Sequence, residues 1–177
     1  MRIVAGELKG RRLASPPRRS ATVRPTSDRV REAVFSILGE IEGARALDLY
    51  CGTGALGIEA ISRGAAQATL VDTHTALARR NVVDLGIGDS CEVVRSDARL
   101  YLRRTRGSFD LVFCDPPYRL ADRLEGELDS LIRNRLAPGA RVIAEGSARR
   151  PLRLDLPLVV ERRYGDTLVR VHSGGSS

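Results

Sequence analysis

Downstream of Arg45, short apolar runs alternate with amphipathic segments along the chain. The apolar runs are too short for core helices and are rich in β-branched residues, so they predict buried strands. Such strands are expected at residues 46–51, 68–71, 92–95, 109–114 and 141–145. Helices are expected between them, at residues 55–62, 75–85 and 121–136, with a further short helix that ends at residue 102. This alternation is typical of a parallel α/β sheet.

The final two apolar runs, residues 158–163 and 167–172, flank Gly165 and Asp166. A Gly-containing pair between two alternating runs favours a tight turn, so we expect a closing antiparallel hairpin. Pro138 and Gly139 predict a separate turn just before the fifth strand.

The first 43 residues follow a different pattern. Residues 2–14 alternate loosely around Lys9-Gly10, as in a small hairpin, and residues 15–20 predict an extended basic loop. Thr26, Ser27 or Asp28 can then cap a helix. The apolar face of that helix has the spacing i, i+3, i+4, i+7, i+8 and consists of Val30, Ala33, Val34, Ile37 and Leu38. We therefore divide the chain into an N-terminal extension, residues 1–43, and a main domain, residues 44–173.

The composition indicates a globular protein and argues against membrane, secreted and zinc-binding classes. A chain of 177 residues with 42% hydrophobic and 29% charged residues is typical of one soluble globular domain. No apolar run approaches the ~20 residues of a membrane span, and the N-terminus lacks a signal-peptide core. The three cysteines, Cys51, Cys91 and Cys114, have no C-x-x-C spacing, which argues against a disulfide framework and against a zinc site. We expect a cytoplasmic protein without a metal, and a monomer, because no hydrophobic stripe demands a dimer.

The net charge is confined to one end of the chain. Nine basic residues stand against two acidic ones through Arg31, which gives +7, and the remaining chain has 20 of each sign. A solvated surface would scatter both signs, so the basic segment predicts a surface that binds phosphates. The simpler alternative is a solubilising tail.

The fourth predicted strand ends abruptly in the sequence Asp115-Pro116-Pro117-Tyr118. Neither proline can donate a ladder hydrogen bond, and each fixes its own φ, so the chain is stiff after Asp115. The carboxyl edge of an open α/β sheet is where ligands bind. A structural interpretation is a strand end followed by a rigid polar turn.

The same four residues suit methyl transfer to an amino group of a nucleobase. Such a nitrogen is a poor nucleophile because its lone pair is delocalised into the ring. The carboxylate of Asp115 and the carbonyl of Pro116 can accept its two N–H bonds, and the Tyr118 ring can stack on the base. We therefore predict Asp115, Pro116 and Tyr118 as the catalytic residues.

A glycine loop follows the first predicted strand. Residues 52–57, Gly-Thr-Gly-Ala-Leu-Gly, match G-x-G-x-x-G, and Asp72 stands 20 positions after Gly52, where an acid can hold a ribose. This pattern alone would suit a dinucleotide enzyme. Asp48, four positions before Gly52, argues against one, because its carboxylate would repel a pyrophosphate and attract a cationic cofactor such as S-adenosylmethionine.

Two further observations bear on the cofactor. The only histidines, His74 and His172, form no hydride-transfer constellation. Asp97, at the end of the third predicted strand, can accept the amino group of an adenine or can cap the next helix. The predicted cofactor-binding residues are Asp48, Cys51, Gly52, Thr53, Gly54, Gly57, Asp72, Asp97 and Ala98.

With these motifs in place, the chain resembles the RsmD family of 16S ribosomal RNA guanine-N2 methyltransferases. The matching segments are residues 2–6, 9–11, 24–26, 28–32, 47–49, 52–57 and 115–118. The glycine loop occurs in many methyltransferases, D-P-P-Y narrows the match to amino methylation of bases, and residues 24–32 make it specific.

The resemblance implies a Rossmann-like class I methyltransferase sheet with strand order 3-2-1-4-5-7-6 and an antiparallel seventh strand. It implies S-adenosylmethionine as cofactor and a guanine N2 in 16S rRNA as acceptor, presented on a small ribosomal subunit. The residues expected to contact RNA are Arg11, Arg12, Arg24, Thr26, Arg29 and Pro117. The alternatives are methylation of adenine N6 or cytosine N4 in RNA or DNA, and an RNA-binding module without catalysis.

Overall fold

A seven-stranded sheet forms the centre of the protein, with the order β3-β2-β1-β4-β5-β7-β6. The computed structural model describes residues 1–16 and 27–174, without the side chains of residues 118–125. The strands are β1 (Arg45–Leu49), β2 (Gln67–Asp72), β3 (Cys91–Arg95), β4 (Phe109–Cys114), β5 (Leu136–Ser147), β6 (Leu158–Tyr164) and β7 (Thr167–Ser173). The helices are α1 (Asp28–Leu38), α2 (Ala55–Ser62), α3 (Ala76–Leu85), α4 (Ala98–Arg104) and α5 (Tyr118–Arg133).

The pairing of the strands confirms the predicted topology. Strands β1 to β5 pair in parallel, and β7 pairs antiparallel with both β5 and β6. The β6–β7 pair is the expected closing hairpin. Because β1 lies between β2 and β4, its carboxyl end is flanked by the ends of two neighbouring strands.

The sheet buries both of its faces, as the apolar runs predict. Alternate residues of the central strands face opposite sides, so Phe113 and Ile143 belong to one hydrophobic cluster while Val112 and Val142 belong to the other. The first cluster includes α1, α2 and α3, and the second includes α4 and α5. None of the helices in the described part is both long and apolar enough to span a bilayer.

Two predicted boundaries are wrong. Strand β5 begins at Leu136, so Pro138 and Gly139 lie inside it rather than in a turn before it. The ladder between β4 and β5 is irregular at that point: it passes from Phe109–Leu136 directly to Leu111–Arg141. The extra β5 residues form a bulge, which tolerates a proline and a glycine at positive φ. Helix α5 begins at Tyr118, directly after the prolines, and ends at Arg133 rather than at residue 136.

The N-terminal segment folds back on itself and against α2. Arg2 and Arg12 form an antiparallel bridge, flanked by backbone hydrogen bonds from Ile3 to Arg11 and from Leu13 to Met1, so this segment forms the small hairpin expected for residues 2–14. Helix α1 is capped by Ser27, whose hydroxyl accepts a hydrogen bond from the Val30 amide at 3.3 Å. Ile3, Leu13 and the buried face of α1 join the same hydrophobic cluster as α2.

Candidate active site

The strand register brings three carboxylates to one edge of the sheet. Asp48 of β1 pairs with Phe113 of β4, which pairs in turn with Ile143 of β5. Asp115, directly after β4, and Glu145, in β5, each lie two residues beyond Phe113 and Ile143, and side chains two apart share a face. Asp48, Asp115 and Glu145 are therefore neighbours at the carboxyl ends of three adjacent strands, although 97 residues separate the first from the last.

Burial makes this edge electrostatically unusual. The Asp48 side chain is 3% exposed, and its Oδ2 accepts a hydrogen bond from the Gly57 amide at 3.0 Å. The pKa of Asp48 is raised to about 7: burial is the main cause, the charges of Asp72 and Glu145 add to it, and the hydrogen bond from Gly57 opposes it. Burial also raises the pKa of Asp115 well above its usual range, with added repulsion from Glu145 and Asp48. A cationic ligand would relieve this repulsion and favour the ionised carboxylates.

The glycine loop is open at its first glycine and closely packed against the sheet at its last. A Cβ on Gly52 would meet no atom within 4 Å, whereas one on Gly57 would lie 2.2 Å from Leu70 Cδ2. Gly57 thus allows α2 to approach the sheet closely enough for its amide to reach Asp48. Gly54 has a left-handed conformation and is the N-cap of α2. Thr53, like Cys51, is buried.

The other acids of the predicted cofactor set lie at the ends of β2 and β3. Asp72 Oδ2 accepts from the Gly52 amide at 2.9 Å, and its Oδ1 accepts from the His74 amide at 2.9 Å. Asp97 Oδ1 caps α4 by accepting from the amides of Arg99 and Leu100, and Ala98 is the buried first residue of that helix. Asp72 therefore lies directly against the glycine loop.

The donor set fits a cationic cofactor that carries a ribose. The buried carboxylate of Asp48 lies against the glycine loop at Gly57 and suits an ammonium group. Asp72 lies against the same loop at Gly52, where there is open space, and offers acceptors to hydroxyl groups. A pyrophosphate would face the same carboxylates and be repelled. No group of three or more His, Cys, Asp or Glu residues in the described ranges is arranged to hold a metal ion.

Two residues of this edge were missed by sequence reasoning. Glu145 has no motif around it, and only the register with β4 places it beside Asp115. Tyr50, between β1 and the glycine loop, has a positive φ of 61°, which is rare outside glycine. Its hydroxyl is buried without a hydrogen-bond partner among the described residues, and burial raises its pKa. No sequence signal marks either feature.

The predicted substrate residues are distributed over two regions. Pro116 is buried and Pro117 is exposed, directly before α5. Tyr118 begins α5, but its side chain lies outside the described part. Arg11, Arg12 and Arg29 are exposed, and Arg11 Nη2 donates to the Asp84 carbonyl at 3.1 Å. The remaining two predicted contacts, Arg24 and Thr26, lie outside the described residues.

The cysteines remain without a chemical role. Cys51, Cys91 and Cys114 are buried, free thiols. Burial raises the pKa of each, to about 12 for Cys91, so all three stay protonated and unreactive at neutral pH.

Comparison with known proteins gives concordant matches. The family described as Conserved hypothetical protein 95 matches residues 1–173. The chain is 42% identical over 123 residues to ribosomal RNA small subunit methyltransferase D of Escherichia coli, an alignment that covers 67% of this chain and 61% of that protein. The Haemophilus influenzae protein of the same name is 33% identical over 161 residues, covering 86% of this chain and 81% of its own.

A solved structure shares the whole fold. The protein yhhF from E. coli, described as a methyltransferase, superposes with a TM-score of 0.84 at 33% identity, over 100% of this chain and 99% of that one. The chain nevertheless spans less than two thirds of the length of the E. coli small subunit methyltransferase D that it matches.

Proposed function

The chain belongs to the family described as Conserved hypothetical protein 95, the RsmD family, and from this membership and the site we propose that it is an S-adenosylmethionine-dependent methyltransferase. The proposed acceptor is the exocyclic N2 amino group of a guanine in 16S rRNA. The relatives are named for small-subunit rRNA, and the presence of Asp-Pro-Pro-Tyr favours an amino nitrogen as the methylated atom.

One observation carries the proposal. Asp115 and the rigid Pro116 follow β4 at the same sheet edge where Asp48 lies near the end of β1 and the glycine loop follows that strand. A cofactor held by the glycine loop would therefore lie next to an amine held by Asp115. An RNA-binding module without catalysis would have no need for two carboxylates, Asp48 and Asp115, that repel each other at this position.

The proposed chemistry uses few groups of the chain. Asp48 and Asp72 would hold the ammonium and ribose of the cofactor, which supplies the methyl group. The Asp115 carboxylate and the Pro116 carbonyl would accept the two N–H bonds of the guanine amine, which orients its lone pair. Both acceptors then stabilise the positive charge that develops on nitrogen. After transfer, the proton leaves the nitrogen to Asp115 or to water.

Arginines of the N-terminal segment complete the proposal. Arg11, Arg12 and Arg29 are exposed and would contact RNA phosphates, which position the substrate without reading its sequence. We propose a monomer that acts on an assembled or assembling small subunit in the cytoplasm.

The test is transfer of a labelled methyl group from S-adenosylmethionine to naked 16S rRNA and to small subunits, followed by nucleoside mass spectrometry. We expect N2-methylguanosine. Detection of N6-methyladenosine or N4-methylcytidine would be consistent with methyl transfer to an amino group but would refute guanine as the acceptor base. Absence of any methylated nucleoside, together with calorimetric binding of a nicotinamide cofactor instead, would refute the proposed function.

A further inference from the structure

Asn81, on α3, connects the glycine loop to the N-terminal segment. Its side chain is 1% exposed. Nδ2 donates to the Thr53 carbonyl at 2.9 Å and to the Ala14 carbonyl at 3.2 Å, while Oδ1 accepts from the Ala14 amide at 2.7 Å. One buried amide therefore satisfies three backbone groups, one in the loop predicted to hold the cofactor and two in the segment predicted to hold RNA.

Helix α2 holds the same segment from the other side. The Glu59 carboxylate accepts from the Val4 amide at 2.9 Å and the Ala5 amide at 3.0 Å, and Ser62 Oγ accepts from the Leu8 amide at 3.0 Å. The contact is close, since a Cβ on Gly6 would lie 1.6 Å from the Ser62 carbonyl oxygen. The helix that follows the glycine loop thus fixes residues 4–8, and Asn81 is left as the link at Ala14.

We propose that Asn81 couples the two binding surfaces, so that cofactor at the glycine loop and RNA on the N-terminal segment raise each other's affinity. This inference rests on the proposed function. Asn81 touches neither ligand in the proposal, and it is a positioning residue. Any movement of Thr53 when the loop is occupied changes the geometry of the Asn81 amide, whose other bonds hold Ala14.

The energetic reason is that Asn81 cannot leave either partner without cost. A buried amide or carbonyl that loses its hydrogen bond is destabilised by about 1–3 kcal/mol. The loop and the segment therefore favour arrangements that satisfy the amide together. Coupling is reciprocal: if bound cofactor raises the affinity for RNA by some factor, bound RNA raises the affinity for cofactor by the same factor.

The test is amide hydrogen exchange of the full chain with and without S-adenosylhomocysteine, followed in peptides that cover residues 8–16. Wild-type protein should exchange about fivefold or more slowly in these peptides when the ligand is bound, within the usual range of coupling. Asn81→Ala should still bind the ligand, but the ligand should change exchange at residues 8–16 by less than about twofold.

Two further variants exclude a packing effect. Asn81→Asp preserves the volume and the acceptor toward Ala14, but it presents a carboxylate oxygen to the Thr53 carbonyl, and it should also lose the response. Arg80→Ala, on the exposed side of α3 where Arg80 pairs with Asp84 at 3.4 Å, should keep the full response. If Asn81→Ala fails to fold, the exchange response of Asn81→Asp at residues 8–16 tests the proposal.

The outcomes separate this inference from the proposed function. Wild-type protein that binds S-adenosylhomocysteine without any slowing at residues 8–16 would overturn the coupling and leave the methyltransferase proposal standing. A full response in both Asn81 variants would overturn it as well. Wild-type protein that does not bind the ligand would instead contradict the proposed function itself.

Discussion

The carboxyl edge of the sheet and the N-terminal basic segment use charge in opposite ways. At the edge, Asp48, Asp115 and Glu145 lie at the ends of three adjacent strands, where Glu145 raises the pKa of both aspartates and Asp48 raises the pKa of Asp115. In the segment through Arg31, nine cations follow one another along the chain. Those that are described, apart from the fully buried Arg31, are exposed to solvent.

The difference shows what each region is suited to bind. Buried like charges destabilise the free protein, and such groups cluster at functional sites because a specific ligand can offset the repulsion. Exposed cations cost little and act over a distance that salt limits to about 8–10 Å. We infer that the edge binds one small cationic ligand specifically, while the segment binds a polyanion with little sequence preference.

The largest expected effect at the carboxyl edge is that of Asp115→Ala. Because Asp115 is proposed to orient the amine and stabilise its charge, methyl transfer should fall by about 10²-fold or more, while cofactor affinity stays within about threefold. Single-turnover transfer from labelled S-adenosylmethionine measures the first, and calorimetry the second. The matched control is Asp110→Ala, at the opposite end of β4, where Asp110 accepts from the Arg45 amide at 2.8 Å. Equal losses in both variants would remove Asp115 from the mechanism.

A second test separates cofactor binding from stability. Asp48→Asn keeps an oxygen for the Gly57 amide but removes the buried charge, so S-adenosylmethionine should bind about 10–100-fold more weakly. The free variant should unfold at the same temperature as wild type or higher, because the repulsion is reduced. Calorimetry and thermal unfolding measure the two effects. A large loss of stability with unchanged affinity would show that Asp48 is structural.

The same carboxylate predicts a pH dependence. In the folded free protein the pKa of Asp48 is about 7 against an ordinary value of 3.8, so folding takes up a proton between these values. The Asp48 contribution is therefore fully present below its ordinary pKa of 3.8, and the free energy of unfolding falls as pH rises from there through about 7. Asp48→Asn should flatten this slope in urea unfolding at pH 5 and pH 8. An identical slope in the variant would contradict the raised pKa.

Much of this fold could be predicted from the sequence because local signals and topology agree. The apolar run at β4 and the proline pair after it gave the exact bounds of that strand. The bulge in β5 was missed because Pro138 and Gly139 ordinarily mark turns, and only pairing with β4 keeps them in the sheet. Local residue preferences cannot anticipate a ladder that skips several residues.

The site residues that belong to sequence motifs could be predicted. Those brought to the site only by the pairing of strands could not. Asp48, Asp72 and the glycines stand at recognisable spacings. Glu145 has no motif, and its position beside Asp115 depends on a strand register that pairs residues 30 positions apart. Asn81 and Tyr50 depend on tertiary contacts and on backbone conformation, which leave no periodic pattern in the sequence.

The smallest expected effect lies in the basic segment. Arg12→Ala or Arg29→Ala should each weaken RNA binding about two- to fivefold near physiological salt, because a single exposed charge contributes at most about 1 kcal/mol. Each should also reduce the slope of log affinity against log salt by about 0.7–0.9. At saturating RNA the rate of methyl transfer should not change. Arg104→Ala, an exposed arginine at the end of α4, is the control. If it lowers affinity and slope as much as the segment variants do, RNA binding follows total charge and the segment has no special role.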